Sequence, residues 1–342
     1  MITLKPISLA PLHQPAQKLP AAPSGTPGDV FIPTNGVEPR ADLLFKKAHQ
    51  TFQSQQAEQV EELVSNFPGR NGYDVNFLGR SLPLPTIAPE LRDKVAPLLA
   101  NPNESELTYT NFSIVMNKER RQPFFTAVNI DGAQIKDVPR DGKWGIDGRI
   151  AREHQLGNEA YRSNPIDRGH MVRRRDPAWG SNAHQASNDT FAYTNAGLQH
   201  GSLNQKTWLD LENHILDTAR SKEMKLTVLT GPVLRESDPS FDNRGRLKPP
   251  TQMPQEFWKV VVWNDPQEGL KGSAFVLSQA DYVARETPFK SDFDSGQFAV
   301  YQVPLKELED STGLSFGPLA ETASGARRID DPGTANLPGH SA

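Results

Sequence analysis

The chain contains no cysteine. Disulfides, thiolate zinc sites and a cysteine nucleophile are therefore excluded. No apolar run approaches the roughly 18 residues that a membrane helix needs, so no spanning segment is expected. There is no basic excess either. The 37 Lys and Arg stand against 41 Asp and Glu, and the formal net charge is −4. The molecule as a whole is not a basic nucleic-acid binder. The first eleven residues carry one lysine and a short apolar stretch broken by Pro6 and Pro11. That stretch lacks the apolar core, about 7–15 residues long, of a secretory signal, and it lacks the arginines of a mitochondrial transit peptide. No HExxH motif occurs, and His184, His200 and His214 have no zinc-ligand spacing.

What is present is a local charge asymmetry. From Asn117 to Arg175 there are 13 Lys and Arg against 8 Asp and Glu. Phosphate attraction decays within a Debye length of about 8–10 Å. An acidic chain can therefore still carry a basic working face.

The organisation follows from composition. Residues 1–38 are rich in Pro, Gly and Ser and read as a flexible arm. Residues 39–66, with Leu43, Leu44, Phe45, Phe52, Val60, Leu63 and Val64 among polar residues, read as a helical extension stopped at Pro68-Gly69. Residues 67–318 read as one globular domain, and 319–342 as a loose C-terminal tail. Within the domain, Leu107 to Met116 and Pro123 to Ile130 read as two strands joined by a basic turn. Residues 131–165 form a polar, Gly-dotted excursion, and Leu203 to Arg220 a helix. Four further strands run Lys225 to Leu234, Phe257 to Trp263, Gly272 to Leu277 and Phe298 to Val303. Lys306 to Thr312 is a short helix. Loops separate these strands more often than helices do. The expected class is α+β, a central mostly antiparallel sheet flanked by helices.

Chemistry concentrates at Asp167-Arg168-Gly169-His170. Hydrolysis of a phosphodiester needs a base for water, positive charge at the phosphoryl oxygens and a metal at the leaving oxygen. His170 titrates near neutrality and suits the base. Arg168 can fork onto a phosphate. Gly169 allows close backbone approach between them. Alone, the tetrad is equally an ion-paired turn. Asn204, Trp208 and Glu212 raise its weight, because i, i+4, i+8 spacing puts them on one helix face. An Asn carbonyl near a Glu suits a hard cation that keeps most of its waters. Arg173-Arg174-Arg175 read as a backbone-phosphate track, the alternative being a solvated charge run. Trp179 and Tyr193 read as core rather than as base-stacking platforms.

With these motifs in view, the chain resembles the DNA/RNA non-specific endonuclease family of the ββα-metal (His-Me finger) class, which includes endonuclease G and the Serratia-type nuclease. The stretches that carry the resemblance are TAVNIDG at 126–132, DRGH at 167–170, NDTFAYTNAGLQ at 188–199, LNQKTWLDLE at 203–212, LTGPVL at 229–234, PQEFWKVVVW at 254–263 and YQVPLKELEDSTGLSF at 301–316. It covers roughly residues 70–318. It implies His170 as general base and Asn204 as the one direct protein ligand of Mg2+, with Mn2+ as a substitute. It further implies Glu212 as holder of a water of the ion, Arg168 as transition-state stabiliser and Asn195 as support. Asp167 orients the motif. The implied reaction cuts DNA and RNA to 5′-phosphate ends.

Two departures stand out. Leu198 replaces a common Pro. Gly142 stands where a second phosphate-binding arginine precedes Trp144, leaving Arg140, Arg149 and Arg152 as candidates. Family members are often dimers, so a homodimer is one expectation. A broad nuclease without a signal peptide must be exported by another route, confined, or held by an inhibitor or immunity protein. Residues 1–66 would then act in delivery, autoinhibition or oligomerisation of a toxin. The competing readings are a phosphodiesterase restricted to DNA or to RNA, and an inactive descendant that binds nucleic acid or a partner.

Overall fold

The computed structural model describes residues 63–201, 207–280, 300–321 and 327–329. In chain order the strands are β1 (Val64–Ser65), β2 (Thr86–Ile87), β3 (Glu106–Tyr109), β4 (Phe112–Asn117), β5 (Gln122–Asp131) and β6 (Ile146–Asp147). They continue with β7 (Ile166–His170), β8 (Ala196–His200), β9 (Lys225–Val233), β10 (Ser240–Phe241) and β11 (Thr251–Gln252). The last are β12 (Glu256–Asp265), β13 (Gly269–Ser278), β14 (Val300–Val303), β15 (Leu314–Ser315) and β16 (Arg327–Ile329). The helices are α1 (Asn158–Tyr161), α2 (Ala183–Asp189), α3 (Thr207–Ser221) and α4 (Leu305–Thr312).

Eight strands form one sheet in the order β16-β14-β13-β12-β9-β5-β4-β3. Every neighbouring pair in it is antiparallel. This is the α+β arrangement the loop-rich pattern predicts. The central strands are buried on both faces, so they read as near-continuous apolar runs, and alternate residues serve two cores. On β12, Phe257 and Val261 face one core while Trp258, Val260 and Val262 face the other. Helix α3 covers the first face. Trp208, Leu211, Ile215, Leu216 and Ala219 recur at helical spacing, and all are at most 2% exposed. They pack on Val128, Ile130 and Val228. Helix α4 covers the second face through Leu305 and Leu308.

A two-stranded ribbon, β7 with β8, lies outside this sheet. A third core surrounds it, with Ile166, Tyr193, Ala196, Leu198 and Tyr161. The ribbon and α3 together make a ββα unit.

Three boundaries differ from the sequence reading. The stretch from Leu107 to Met116 is a hairpin, because Asn111 turns the chain at φ 69°; a short polar side chain tolerates that region. Of the expected helix at 39–66, the described residues 63–66 hold β1, which pairs in parallel with β6. Backbone bonds from Ile146 N to Leu63 O and from Gly148 N to Ser65 O fix it there. The rest of that segment, and the arm at 1–38, lie outside the described residues. Of the expected loose tail, Arg327–Ile329 adds to the sheet edge along β14. No helix among the described residues is long and apolar enough to cross a membrane.

Docking of α3 depends on its apolar face. Leu211→Ala is expected to cost about 2–5 kcal/mol, the range for truncating a fully buried leucine. The urea midpoint checks it, and an unchanged midpoint would place α3 off the core.

Candidate active site

The ribbon sets the geometry. Gly169 faces Gly197 across it, Arg168 faces Leu198 and His170 faces Ala196. Side chains alternate along a strand, so Arg168 and His170 share one face while Asp167 and Gly169 take the other. Gly169 is required by contact. A Cβ there would lie 1.9 Å from Gln199 Oε1. Asn195 closes the end of the ribbon. Its amide donates to Val172 O (2.9 Å) and Thr190 O (3.0 Å), and its Oδ1 accepts from Val172 N (2.8 Å). Fully buried and bonded at both ends, Asn195 holds the segment after His170 in place.

His170 packs against Trp144 (centroids 4.8 Å apart) and edge-on to Phe191 (5.2 Å). The residue keeps a partly exposed edge, yet Nε2 is shielded and has no hydrogen-bond partner among the described residues. Burial, then the positive charges of Arg140 and Arg174, pull its pKa from 6.5 down to about 3. The imidazole is therefore neutral at physiological pH, the form that accepts a proton.

Arg168 lies in an aromatic cage, its guanidinium carbon 5.5 Å from the Tyr161 ring centre, 5.8 Å from Tyr193 and 5.9 Å from Trp144. It donates to Asn158 Oδ1 on α1. Stacking and one anchoring bond leave part of its fork for a ligand. Tyr193 is thus core, 5% exposed. Trp179 bonds Asn129 O and packs on Phe77.

The arginine run divides. Arg173 is not on a solvent-facing phosphate track: it is 9% exposed, its Nε lies 3.8 Å from Glu212 Oε2 and it donates to Asn213 Oδ1. Arg174 donates to Val138 O and to Ser187 Oγ, both at 3.1 Å. Arg175 pairs with Asp137 at 2.7 Å. Arg140 is exposed, 5.8 Å from the Phe191 ring centre. Of the candidates for the second arginine, Arg149 is locked onto Asp147 and Thr108 O. Arg152 bonds Glu159 and Gln155 O. Arg140 is the one whose charge acts on His170.

Glu212 lies on the buried face of α3 beside Trp208. Lys259 Nζ approaches its other oxygen, Oε1, at 3.4 Å. Asn204 lies outside the described residues. Among those described, no group of three or more His, Cys, Asp or Glu is gathered for a metal. The sequence reading missed Trp144, Phe191 and Asn158, which build the His170 and Arg168 pockets, and it missed Lys259. For Lys259 a signal existed, one charged residue inside the apolar run Phe257 to Trp263.

The model for the DNA/RNA non-specific endonuclease family matches residues 96–323. The chain is 37% identical over 270 residues to the protein y4fB of Sinorhizobium fredii, covering 73% of this chain and 39% of that protein. It is 30% identical over 128 residues to a salivary endonuclease of Lutzomyia longipalpis, 36% of this chain and 30% of that one. It is 23% identical over 237 residues to the mitochondrial nuclease EXOG of Xenopus laevis, 67% of this chain and 63% of that one. The chain thus spans less than two thirds of each of these relatives. A solved EndoG/EndoGI complex aligns with a TM-score of 0.49 at 19% identity, over 63% of this chain and 86% of that one.

The depressed pKa of His170 makes a stability prediction. The unfolded imidazole takes a proton near pH 6.5, the folded one only near 3. Stability from this residue is complete above pH 6.5 and drains away as pH falls toward 3. His170→Asn is expected to lose less stability than the natural chain between neutral pH and about pH 4, read from urea midpoints. Parallel losses in both proteins would contradict the burial of Nε2. On the match of the family model across residues 96–323, the chain belongs to the DNA/RNA non-specific endonuclease family.

Proposed function

We propose that this chain is a magnesium-dependent endonuclease that hydrolyses the phosphodiester bonds of DNA and RNA and leaves 5′-phosphate ends. One observation carries the reading. A neutral imidazole with a free, shielded nitrogen shares a strand face with a caged guanidinium, and the charges of Arg140 and Arg174 act on that imidazole. Family membership supports the same reaction class.

In this reading His170 Nε2 takes the proton from the attacking water. Arg168 and Arg140 stabilise charge on the phosphoryl oxygens, and neither contact reads the base or the sugar. Breadth of substrate follows from that. Glu212 presents a buried carboxylate, an oxygen donor of the kind a hard cation takes. Asn204 would hold the ion directly and Glu212 through water, with Mn2+ substituting for Mg2+. When bound, the ion supplies positive charge at the leaving 3′ oxygen. Asp167 and Asn195 position the strand that carries the base.

The deciding assay incubates the purified chain with supercoiled plasmid and with structured RNA, in Mg2+ and in EDTA. Both polymers are expected to be cut in Mg2+ and neither in EDTA. No cleavage in any divalent metal would remove the nuclease reading, and cleavage of one polymer alone would narrow it. His170→Ala is expected to lose on the order of 10²-fold or more in rate while still binding nucleic acid. Near-normal turnover would exclude it as base. Asn204→Ala should raise the Mg2+ concentration for half-maximal rate, and cleavage should fall with added salt.

A further inference from the structure

Lys259 occupies a costly position. It lies in the middle of the eight-stranded sheet, is 1% exposed, and sits between Phe257 and Val261 on the face that α3 covers. Burying an ammonium costs several kcal/mol unless it is well paired. An apolar residue would fill this site without that cost. Replacing a buried ion pair with well-packed apolar residues is often neutral or stabilising, so stability alone does not account for this lysine.

Its contacts point toward Glu212. Nζ donates to Thr230 Oγ1 at 3.0 Å, on the neighbouring strand and opposite in register. The same nitrogen lies 5.0 Å from the Trp208 ring centre and 3.4 Å from Glu212 Oε1. Arg173 stands on the other side, its Nε 3.8 Å from Oε2. Two cations from two elements therefore grip the two oxygens of one carboxylate. Arg173 is three residues beyond His170, so the same grip ties α3 to the strand bearing the base. Asp176, fully within this field, is the second acid. Its burial pushes the carboxyl up to about 7 against the pull of Arg173 and Lys259.

We propose that Lys259, braced by Thr230, is a positioning residue that fixes the orientation of Glu212, the carboxylate to which the nuclease reading gives a water of the divalent ion. This rests on the nuclease reading above. Neither cation needs to touch nucleic acid. Each restricts the rotation of the Glu212 side chain.

The test uses the full chain with Lys259→Met, Glu212→Gln and the double variant. K259M is expected to fold and to lose about 10–100-fold in kcat, the usual worth of a partner behind a metal-site group. The KM for plasmid should not change. In the E212Q background, K259M should cause no further loss. Mn2+ binding, followed by loss of the free-ion EPR signal, should weaken in K259M and stay weak in the double variant. Natural kcat and Mn2+ affinity in K259M would overturn the proposal, as would losses that multiply in the double variant. Should K259M fail to fold, Thr230→Val removes only the brace and must show the same absence of further loss with E212Q. If the natural chain cuts neither polymer, the nuclease reading fails by itself, and Mn2+ binding still decides the role of Lys259.

Discussion

The site depends on the close approach of two strands at one glycine. Gln199 reaches across β7 at Gly169, and any side chain there would collide with a fully buried amide. That approach puts Arg168 and His170 on the opposite face, two residues apart. Among the described residues the ribbon has no third strand, and glutamine side chains bond the edge of β8. Leu198 N donates to Gln122 Oε1, His200 N to Gln279 Oε1, and Gln279 Nε2 to Leu198 O. Backbone polar groups buried without such partners would be costly. The glutamines therefore close the edge and bolt the ribbon to β5 and to the end of β13. Asn195 does the same at the corner. The ribbon is thus tied to the main sheet by side-chain amides that bond β8.

Around this frame the structure builds two environments of opposite character. The His170 pocket is aromatic, and burial there keeps the imidazole neutral. The Glu212 pocket is ionic, with Arg173 against one carboxylate oxygen and Lys259 against the other. Both cost stability: one strands a polar nitrogen, the other buries charges. The apolar sheet, with fully buried Trp258, Phe257, Phe275 and Phe112, carries both. Local violations of good packing thus cluster where chemistry is expected, and the rest of the chain remains consistent with its patterning.

How much of this the sequence showed follows the range of the interactions. The sheet strands and α3 were legible because apolar periodicity is local. Arg168 and His170 were legible by residue type within the tetrad, whereas their common strand face came only with the pairing of β7 and β8. Glu212 and Trp208 fell on one buried face of α3, as their spacing requires. Long-range contacts were not legible. Arg173 looked like its neighbours Arg174 and Arg175, and only the packing of α3 separates a buried ion pair from a surface charge. Asn111 turns a hairpin inside what reads as a continuous strand, because β3 and β4 are apolar on both sides of it. The β1 and β16 additions depend on partners far away in sequence, β6 and β14. Lys259 was visible as an anomaly, but its meaning needed Glu212 to be found 3.4 Å away.

The missing arginine before Trp144 has a physical reason in this fold. Gly142 runs so close to Phe191 that a Cβ there would lie 2.2 Å from the ring. An arginine at 142 therefore requires Phe191 to leave its place. Phe191 is also the ring that stands edge-on to His170 and contributes to its burial. In this chain an aromatic wall for the base and an arginine at 142 exclude each other. Arg140, two residues earlier, avoids the conflict by lying over the outer side of the same ring. Its charge still reaches His170, where it opposes protonation. One ring thus serves both contacts: it stands against the His170 imidazole and it seats the Arg140 guanidinium.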